Sequence, residues 1–510
     1  MFEKVLIANR GEIAIRAART CREMGIRTVG VYSTADRDSL HRRHVDESVE
    51  IGPAPASESY LNIDRVLAAA AATNAEAIHP GYGFLSENPE FSRRCAEAGV
   101  VFVGPGPDAM NQSGDKIGSR RAMASAGLPI TPGSEAVGSE GEALAAAKEL
   151  RFPVMLKASG GGGGMGMAAV HRQDEMPHAF RLAQSAASAA FGDPTLFVEK
   201  FHRHPRHIEV QVLLDAHGNA VHLGERECSI QRRHQKLVEE SPSPLVGPKV
   251  RKKLGELAVR GMRAVGYVNA GTVEFLYAAG KFYFNEINAR LQVEHTVTEM
   301  VTGLDLVREQ LRIAAGQPLG VEQTEVRLNG SAIECRINAE DPTANFAPSP
   351  GTVTAYHVPG GPGIRVDSGI AQGSPVLAFY DPLVAKLIAH GRTREEAIAR
   401  MERAVGEFVI EGVQTVLPLH RRILADEAFR NGELTTTFLG DRDILEGLVQ
   451  ERDDEVAAIA ATLASRPSLA AHLRERLVLQ PANASRWAVS GRPRPGGEHA
   501  AAHRGRWART

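Results

Sequence analysis

Short apolar runs alternate with helical spacing over the first hundred residues. KVLIA (4–8) is followed by an NRGE turn and then IAIRAARTCREMG, where apolar residues recur at helical intervals; TVGVYS (28–33) is the next run. Further runs, AEAIH (75–79) and VVFV (100–103), continue the alternation to about residue 110. This βαβ pattern predicts a parallel sheet with crossover helices. The NRGE turn lacks GxGxxG spacing and gives no support for a dinucleotide site.

From about 115 to 200 the order becomes a helix, an apolar strand (PVMLKAS, 153–159), five glycines and another strand. A strand-rich block spans 196–290 and includes IEVQVLLD, GTVEFLYA and KFYFNEIN, with a hairpin turn expected at AAG. One helix is expected at about 299–315. A mixed segment, about 330–445, carries the expected strands AIECRIN, TVTAYH and GIRVDS and a helix near 393–408. Residues 452–464 are Ala-rich and read as helical. Residues 481–510, rich in Ala, Arg, Gly and Pro, read as a disordered basic tail holding both tryptophans, Trp487 and Trp507.

Composition narrows the class. A chain of 510 residues implies two to four packed units, and 43% hydrophobic with 24% charged residues is ordinary globular composition. With 59 basic and 61 acidic residues the net charge is −2, which argues against a nucleic-acid binder. No stretch approaches the roughly 20 apolar residues of a membrane helix, and the N-terminus shows no secretory pattern. Cys21, Cys95, Cys228 and Cys335 are widely separated, which fits neither a disulfide framework nor a zinc site; a reducing, cytoplasmic setting is expected.

Three clusters could carry chemistry. The run Ser159–Met167, SGGGGGMGM, sits between strands, where bare backbone N–H groups can approach phosphate oxygens and Lys157 can add a cation. No GK[ST] follows it, and a plain surface loop is the competing reading. In KFYFNEINARLQVEH, every second residue from Glu286 is polar: Glu286, Asn288, Arg290, Gln292 and Glu294. A hairpin pairing even positions with even ones puts Glu274 on that face. Two carboxylates and an amide oxygen suit Mg²⁺, and an arginine with a further carboxylate suits an anionic substrate and a general base. A strand with one wet face would look the same. Finally, GERECSIQRRHQKLVEE (224–240) offers His234 and Lys236 as phosphate contacts, against a polar loop.

Together these pieces resemble the biotin carboxylase family. Glu199-Lys200-Phe201, His207, the QRRHQK run, Glu274 with Glu286, and NARLQVEH after a glycine-rich hairpin match its ATP-grasp core. ANRGEIAIR (8–16), HPGYGFLSEN (79–88), GDK (114–116) and ECRINAEDP (334–342) extend the match over about 1–445. The resemblance implies an α/β and α+β fold in three domains and an extension. These are a Rossmann-like pre-ATP-grasp domain (1–114), an ATP-grasp domain (115–328) with a mobile lid at about 130–203, a C-terminal biotin carboxylase domain (329–446), and 447–510.

The resemblance also implies the chemistry: ATP phosphorylates bicarbonate to carboxyphosphate, and the CO₂ it yields carboxylates biotin on a carrier. Lys116 and Lys157 would meet the nucleotide phosphates, with Gly163 and Gly164 closing over them. Glu199, Lys200 and Phe201 would hold the adenine, His207 and Gln231 the ribose, and His234 the phosphates. Glu274, Glu286 and Asn288 would bind Mg²⁺ or Mn²⁺. Bicarbonate would lie among Lys236, Arg290, Gln292 and the Val293 N–H, with Glu294 as base and Arg336 stabilising the biotin enolate.

Departures from the family pattern carry expectations of their own. Met165 stands where the family has Arg or Lys; one lost charge-assisted hydrogen bond, roughly 1.5–3 kcal/mol, would weaken ATP binding or lid closure about 10- to 100-fold. An unchanged KM for ATP in Met165→Arg would dismiss this. NEIN replaces EMN, and His295-Thr296 replaces His-Pro; both spare the polar face. None of the eleven methionines precedes a lysine, so no biotinyl-domain motif is present. The chain therefore reads as the biotin carboxylase component of a multi-subunit carboxylase, forming a homodimer by resemblance and needing a biotin carboxyl carrier protein and a carboxyltransferase. The tail is expected to dock on such a partner. Two alternatives stay open: another ATP-grasp ligase joining an acyl phosphate to an amine, and a non-catalytic scaffold. The acyl-CoA or keto acid finally carboxylated is not legible here.

Overall fold

The structure, a computed structural model of the chain, describes residues 1–160, 166–448, 457–459 and 461–462. Residues 1–448 form one unit; in the second, from Val449, the described residues 457–459 and 461–462 are helical.

The four N-terminal apolar runs become four strands of a parallel sheet, as their alternation predicts; the fifth strand, Glu47–Glu50 at one edge, reads ESVE and carries no apolar run. The sheet's strands are β1 (Lys4–Ile7), β2 (Arg27–Tyr32), β3 (Glu47–Glu50), β4 (Ala77–His79) and β5 (Val101–Phe102), in the order β3-β2-β1-β4-β5. Helices α1 (Gly11–Glu23), α2 (Ile63–Thr73) and α3 (Pro89–Glu97) are the crossovers. Alternate side chains of β1 enter different cores: Val5 and Ile7 join Ala14 and Ala17 of α1, whereas Leu6 joins Val66 of α2 and Phe91 of α3. Side chains of Asn62 and Asn88 accept hydrogen bonds from the first turns of α2 and α3, which fixes where those helices start.

Helices α4 (Pro107–Gly114) and α5 (Lys116–Ser125) lead to a small subdomain. There α6 (Glu140–Leu150) and α7 (Met176–Phe191) cover a three-stranded antiparallel sheet of β6 (Val154–Ala158), β7 (Ala168–Val170) and β8 (Leu196–Lys200). It has its own apolar core, including Val154, Leu156, Phe180 and Val198.

The strand-rich block forms most of an eight-stranded antiparallel sheet. Its strands are β9 (Arg206–Leu214), β10 (Ala220–Arg232), β11 (Gln235–Ser241), β12 (Asn269–Ala278), β13 (Lys281–Asn288) and β14 (Ser331–Asn338). Helices α8 (Pro248–Ala264), α9 (His295–Thr302) and α10 (Leu306–Ala314) pack around it. C-terminal residues form three two-stranded ribbons: β15 (Glu340–Asp341) with β16 (Ala347–Pro348), β17 (Gly351–Thr352) with β20 (Pro375–Val376), and β18 (Ala355–His357) with β22 (Val409–Glu411). Strands β19 (Ile364–Ser368) and β21 (Leu383–Gly391) extend the large sheet, giving the order β13-β12-β9-β10-β11-β14-β21-β19; helix α11 (Arg394–Glu407) lies against β21.

Two-residue turns set the hairpins that matter most. Ala279 and Gly280 both have positive φ (49° and 76°), as the expected AAG turn requires, and join β12 to β13. Arg233 and His234 (φ 48° and 68°) do the same between β10 and β11.

Three expectations change. The helix at 299–315 is two, because Gly303 ends α9 at φ 74° and the Asp305 side chain caps α10 through the Arg308 N–H. TVTAYH is not one strand: the Val353 N–H bonds Ser374 while the Thr354 N–H bonds Glu411, so the chain changes partners there. The alternating run also ends early, since β13 stops at Asn288 and Arg290, Gln292 and Glu294 stand in the loop before α9.

Candidate active site

One face of the large sheet is buried without being apolar. Glu274 of β12 and Glu286 of β13 are register partners, as the even-with-even pairing requires. Across β9, β10 and β11 come Glu209, Arg226 and Lys236, and from β14 comes Arg336. The loop after β13 brings the remaining groups to the same place by another route than strand alternation.

Lys236 is the hub. Its Nζ donates to Glu209 at 2.6 Å, Glu274 at 3.0 Å and Glu294 at 2.5 Å. Arg336 holds the other Glu294 oxygen at 2.9 Å and Glu239 at 2.6 Å. Burial favours the neutral carboxyl of Glu294, but Lys236, then Arg336 and Arg226, outweigh it and hold the pKa well below the usual range. Glu239 and Glu334, also buried, go the other way: burial lifts both upward despite Arg336 and Lys386. Glu274, beside His207 and Lys236, is held low as Glu294 is, so these two carboxylates are kept ionised while Glu239 and Glu334 are pushed toward the neutral form.

Arg290 donates to Glu87 at 2.9 Å and to the Asn288 Oδ1 at 3.0 Å. Gln292 bridges Arg226 (2.6 Å) and Glu274 (3.1 Å), and the Val293 carbonyl accepts from Lys386 at 2.9 Å. Asn288 Nδ2 donates to Glu274 at 2.9 Å, and the His207 Nε2 lies 2.9 Å from that carboxylate. Burial lowers the His207 pKa, yet Glu274 more than offsets it and the net shift is upward. Gln231 reaches the His207 Nδ1 at 3.4 Å. His234, in the β10–β11 turn, has its pKa lowered by burial and then by Lys157.

Lys116 and Lys157 stand on the side toward the small subdomain. Lys116 Nζ is 3.6 Å from Glu286, and the Lys116 N–H bonds the Ser159 carbonyl at 3.2 Å, tying α5 to the start of the glycine run. Lys157 Nζ lies 2.6 Å from Glu199, whose other oxygen pairs with Arg120. Burial, with Lys116 close by, pushes the Lys157 amine down to about 7. The N–H groups of Lys200 and Phe201 already bond the Pro132 and Pro153 carbonyls, at 2.8 and 3.3 Å. Gly163, Gly164 and Met165, and the tail with Trp487 and Trp507, lie outside the described residues.

Carboxylate and imidazole atoms of His207, Glu209 and Glu274 lie within 4.8 Å of one another. The Lys236 ammonium between Glu209 and Glu274 repels a cation there, so that trio is an ion-pair cluster. Glu286 is different: its side chain is 26% exposed and its ion pair is the long one to Lys116, so with Glu274 in register it can take a hard cation.

Sequence reasoning passed over the groups behind this face: Arg226, Glu209, Glu87, Glu239, Arg120 and Lys386. Arg226 is fully buried and donates to Glu209, Gln211 (2.8 Å), Thr272 (3.2 Å), Gln292 and Thr298 (3.0 Å). Period-two polarity in HIEVQV was the available signal for Glu209; Arg226 stands in three consecutive charges, Glu225 to Glu227, and had no alternation to mark it.

Comparison with known proteins fits this geometry. Residues 115–322 match the family of the ATP-binding domain of the carbamoyl-phosphate synthase L chain, a match that covers the small subdomain and most of the large sheet. Residues 1–110 match the biotin carboxylase N-terminal domain and 334–441 its C-terminal domain. A pyruvate carboxylase subunit of Methanothermobacter thermautotrophicus is 50% identical over 92% of this chain and 97% of its own. Biotin carboxylase 1 of Bacillus subtilis is 50% identical over 87% of this chain and 100% of its own. The crystal structure of a biotin carboxylase–β,γ-ATP complex from Campylobacter jejuni superposes with a TM-score of 0.85 at 46% identity, covering 87% of this chain and 99% of that one. The biotin carboxylase domain dimer of Hydrogenobacter thermophilus 2-oxoglutarate carboxylase, with MgADP, ADP and bicarbonate, gives the same four values. The chain belongs to the biotin carboxylase family.

Proposed function

We propose that the chain is an ATP-dependent biotin carboxylase, a ligase forming a C–N bond: ATP, bicarbonate and biotin give ADP, phosphate and carboxybiotin. The observation that carries this is Glu294, an ionised carboxylate held between Lys236 and Arg336 at the edge of a Glu274/Glu286 pair. Glu294 is the base that takes the bicarbonate proton, for which an ionised carboxylate within reach suffices. Lys236, Arg290, Gln292 and the Val293 N–H bind the bicarbonate, and its approach draws Arg290 from Glu87 and Lys236 from its carboxylates. Arg336 balances negative charge developing on the acceptor's ureido oxygen.

On the nucleotide side, Lys116, Lys157 and His234 face the phosphates, with Gly163 and Gly164 above them. Glu199, Lys200 and Phe201 line the adenine, and His207 with Gln231 the ribose. With the Lys200 and Phe201 N–H groups bonded to prolines, recognition there rests on carbonyls and packing. Glu274, Glu286 and Asn288 would hold Mg²⁺ or Mn²⁺, which would neutralise phosphate charge during transfer. The three domains are 1–114, 115–328 with a lid at about 130–203, and 329–446, and 447–510 is the extension.

Biotin is carried on a partner, a biotin carboxyl carrier protein, and a carboxyltransferase completes a cytoplasmic multi-subunit enzyme. The relative named as one subunit of pyruvate carboxylase supports this division, and the relative described as a dimer supports a homodimer. Among the described residues no helix is long and apolar enough to cross a membrane.

ADP release by the purified chain, with Mg²⁺ and bicarbonate, with and without free biotin, tests the reading. Biotin-stimulated turnover that vanishes without bicarbonate is expected. Bicarbonate-dependent turnover indifferent to biotin would replace the acceptor, and no turnover even with a biotinylated carrier would favour the scaffold.

A further inference from the structure

A buried lysine outside the substrate-facing set meets the base-bearing loop from behind. Lys386 lies on β21, opposite Arg336 of β14, and its side chain is fully buried. Its Nζ donates to the Val293 carbonyl at 2.9 Å, lies 3.3 Å from Glu12 Oε1, and stands 5.7 Å from the centre of the Tyr82 ring. Three parts of the chain converge on one ammonium: α1, the loop before α9, and the C-terminal strand.

The Val293 carbonyl belongs to the peptide that continues into Glu294. Glu294 is the N-cap of α9, so this carbonyl precedes the helix and has no place in its hydrogen-bond ladder. The preceding carbonyl, Gln292, is held by the His295 side chain at 2.8 Å. Lys386 completes the set and fixes the plane of the Val293–Glu294 peptide. Glu12 in turn fixes Lys386. Both Glu12 oxygens are buried without a hydrogen-bond partner, which leaves the ion pair with Lys386 as their nearest compensation. Gly369 lets this close approach happen: a Cβ there would lie 2.7 Å from the Glu12 nitrogen.

We propose that Lys386, braced by Glu12, is the positioning residue of the bicarbonate loop: it fixes the Val293–Glu294 peptide, and so the Glu294 carboxylate, and through Val293 it steadies the adjoining peptide that carries the Val293 N–H, without touching substrate. This rests on the biotin carboxylase reading above. It separates Lys386 from lysines that serve only folding, because the loop it holds carries bicarbonate contacts and no nucleotide contacts.

The test is bicarbonate-dependent ATP cleavage by the full chain and by Lys386→Met, Lys386→Arg and Glu12→Gln, with KM measured separately for bicarbonate and ATP. One lost charged hydrogen bond corresponds to about a 10- to 100-fold effect. In Lys386→Met the KM for bicarbonate is expected to rise at least tenfold and kcat to fall, while the KM for ATP stays within about twofold. Lys386→Arg should recover part of the loss, and Glu12→Gln should shift the bicarbonate KM in the same direction by less. Should Lys386→Met fail to fold, Glu12→Gln, which keeps the lysine and its volume, decides: an unchanged bicarbonate KM there overturns the proposal. Equal movement of both KM values in a folded Lys386→Met, or movement of neither, also overturns it. Absence of bicarbonate-dependent cleavage in the unaltered chain would instead remove the functional reading itself.

Discussion

Strands β1 and β10 are both buried, and they are buried by opposite means. β1 reads KVLI, and its apolar side chains enter two cores that helices seal on either face. β10 reads AVHLGERECSIQR, and Glu225, Arg226 and Glu227 within it are as inaccessible as any leucine. In β1 burial removes apolar surface from water, which is favourable without directional partners. In β10 burial strands charges that persist only because each has a partner: Arg226 has Glu209, Glu225 has Arg251, and Glu227 has Arg206. The first kind of interior builds a scaffold. The second maintains a preset electrostatic field, and the candidate chemistry sits there.

The largest expected effect breaks the comparison on the charged side without disturbing the fold. Glu294→Gln keeps the volume and removes the base; kcat for bicarbonate-dependent ATP cleavage should fall about 10²- to 10⁴-fold. A Tm within a few degrees of the unaltered chain would show that this loss is chemical.

Next is Arg226→Met, which leaves Glu209 buried with Lys236 as its remaining cation and Gln292 without its donor. Denaturant unfolding should show a loss of about 3–5 kcal/mol. If the charged interior works as a unit, adding Glu209→Gln to this variant costs less than the sum of the two single changes.

Leu6→Ala, in the apolar interior, should cost about 2–5 kcal/mol through lost burial and the cavity left behind. Its kcat should stay within twofold. A large kcat change would show that the two kinds of interior are not separable.

The smallest effect is a pH one. Burial raises the Asp36 pKa, but hydrogen bonds and charge from Arg10 outweigh it and hold the value at about 2, against an ordinary 3.8. The folded pKa is the lower one, so this contribution, about 2 kcal/mol, is present above pH 4 and fades as pH falls through about 2. Asp36→Asn should therefore flatten the fall in stability between pH 4 and 2; an unchanged slope would locate the acid sensitivity elsewhere.

The sequence by itself determined the elements whose physics is local. Four strands of the parallel sheet followed from apolar runs at regular intervals, and the AAG turn from two positions that tolerate positive φ. For Glu274 and Glu286 the sequence named only the condition, even positions paired with even ones; the two-residue turn pairs Ala278 with Lys281, and a bulge between Glu274 and Phe275 restores the even register that puts both carboxylates on one face. The family followed from motifs in a fixed order.

Only the tertiary structure decided what depends on distant partners. Arg290, Gln292 and Glu294 looked like the continuation of a strand because polar and apolar residues alternate there, and alternation cannot register that pairing ends at Asn288. Arg226 looked like one charge in a polar stretch; its partners come from two other strands, a loop and a helix, the farthest 72 residues away. Lys386 carries no motif at all, and its meaning depends on Val293 and Glu12 arriving at the same point from 93 residues and from the opposite end of the domain order. Local pattern reports what a segment can bury. Which charge neutralises which is set by long-range packing, because electrostatic partners are chosen by distance in space and by the exclusion of water between them.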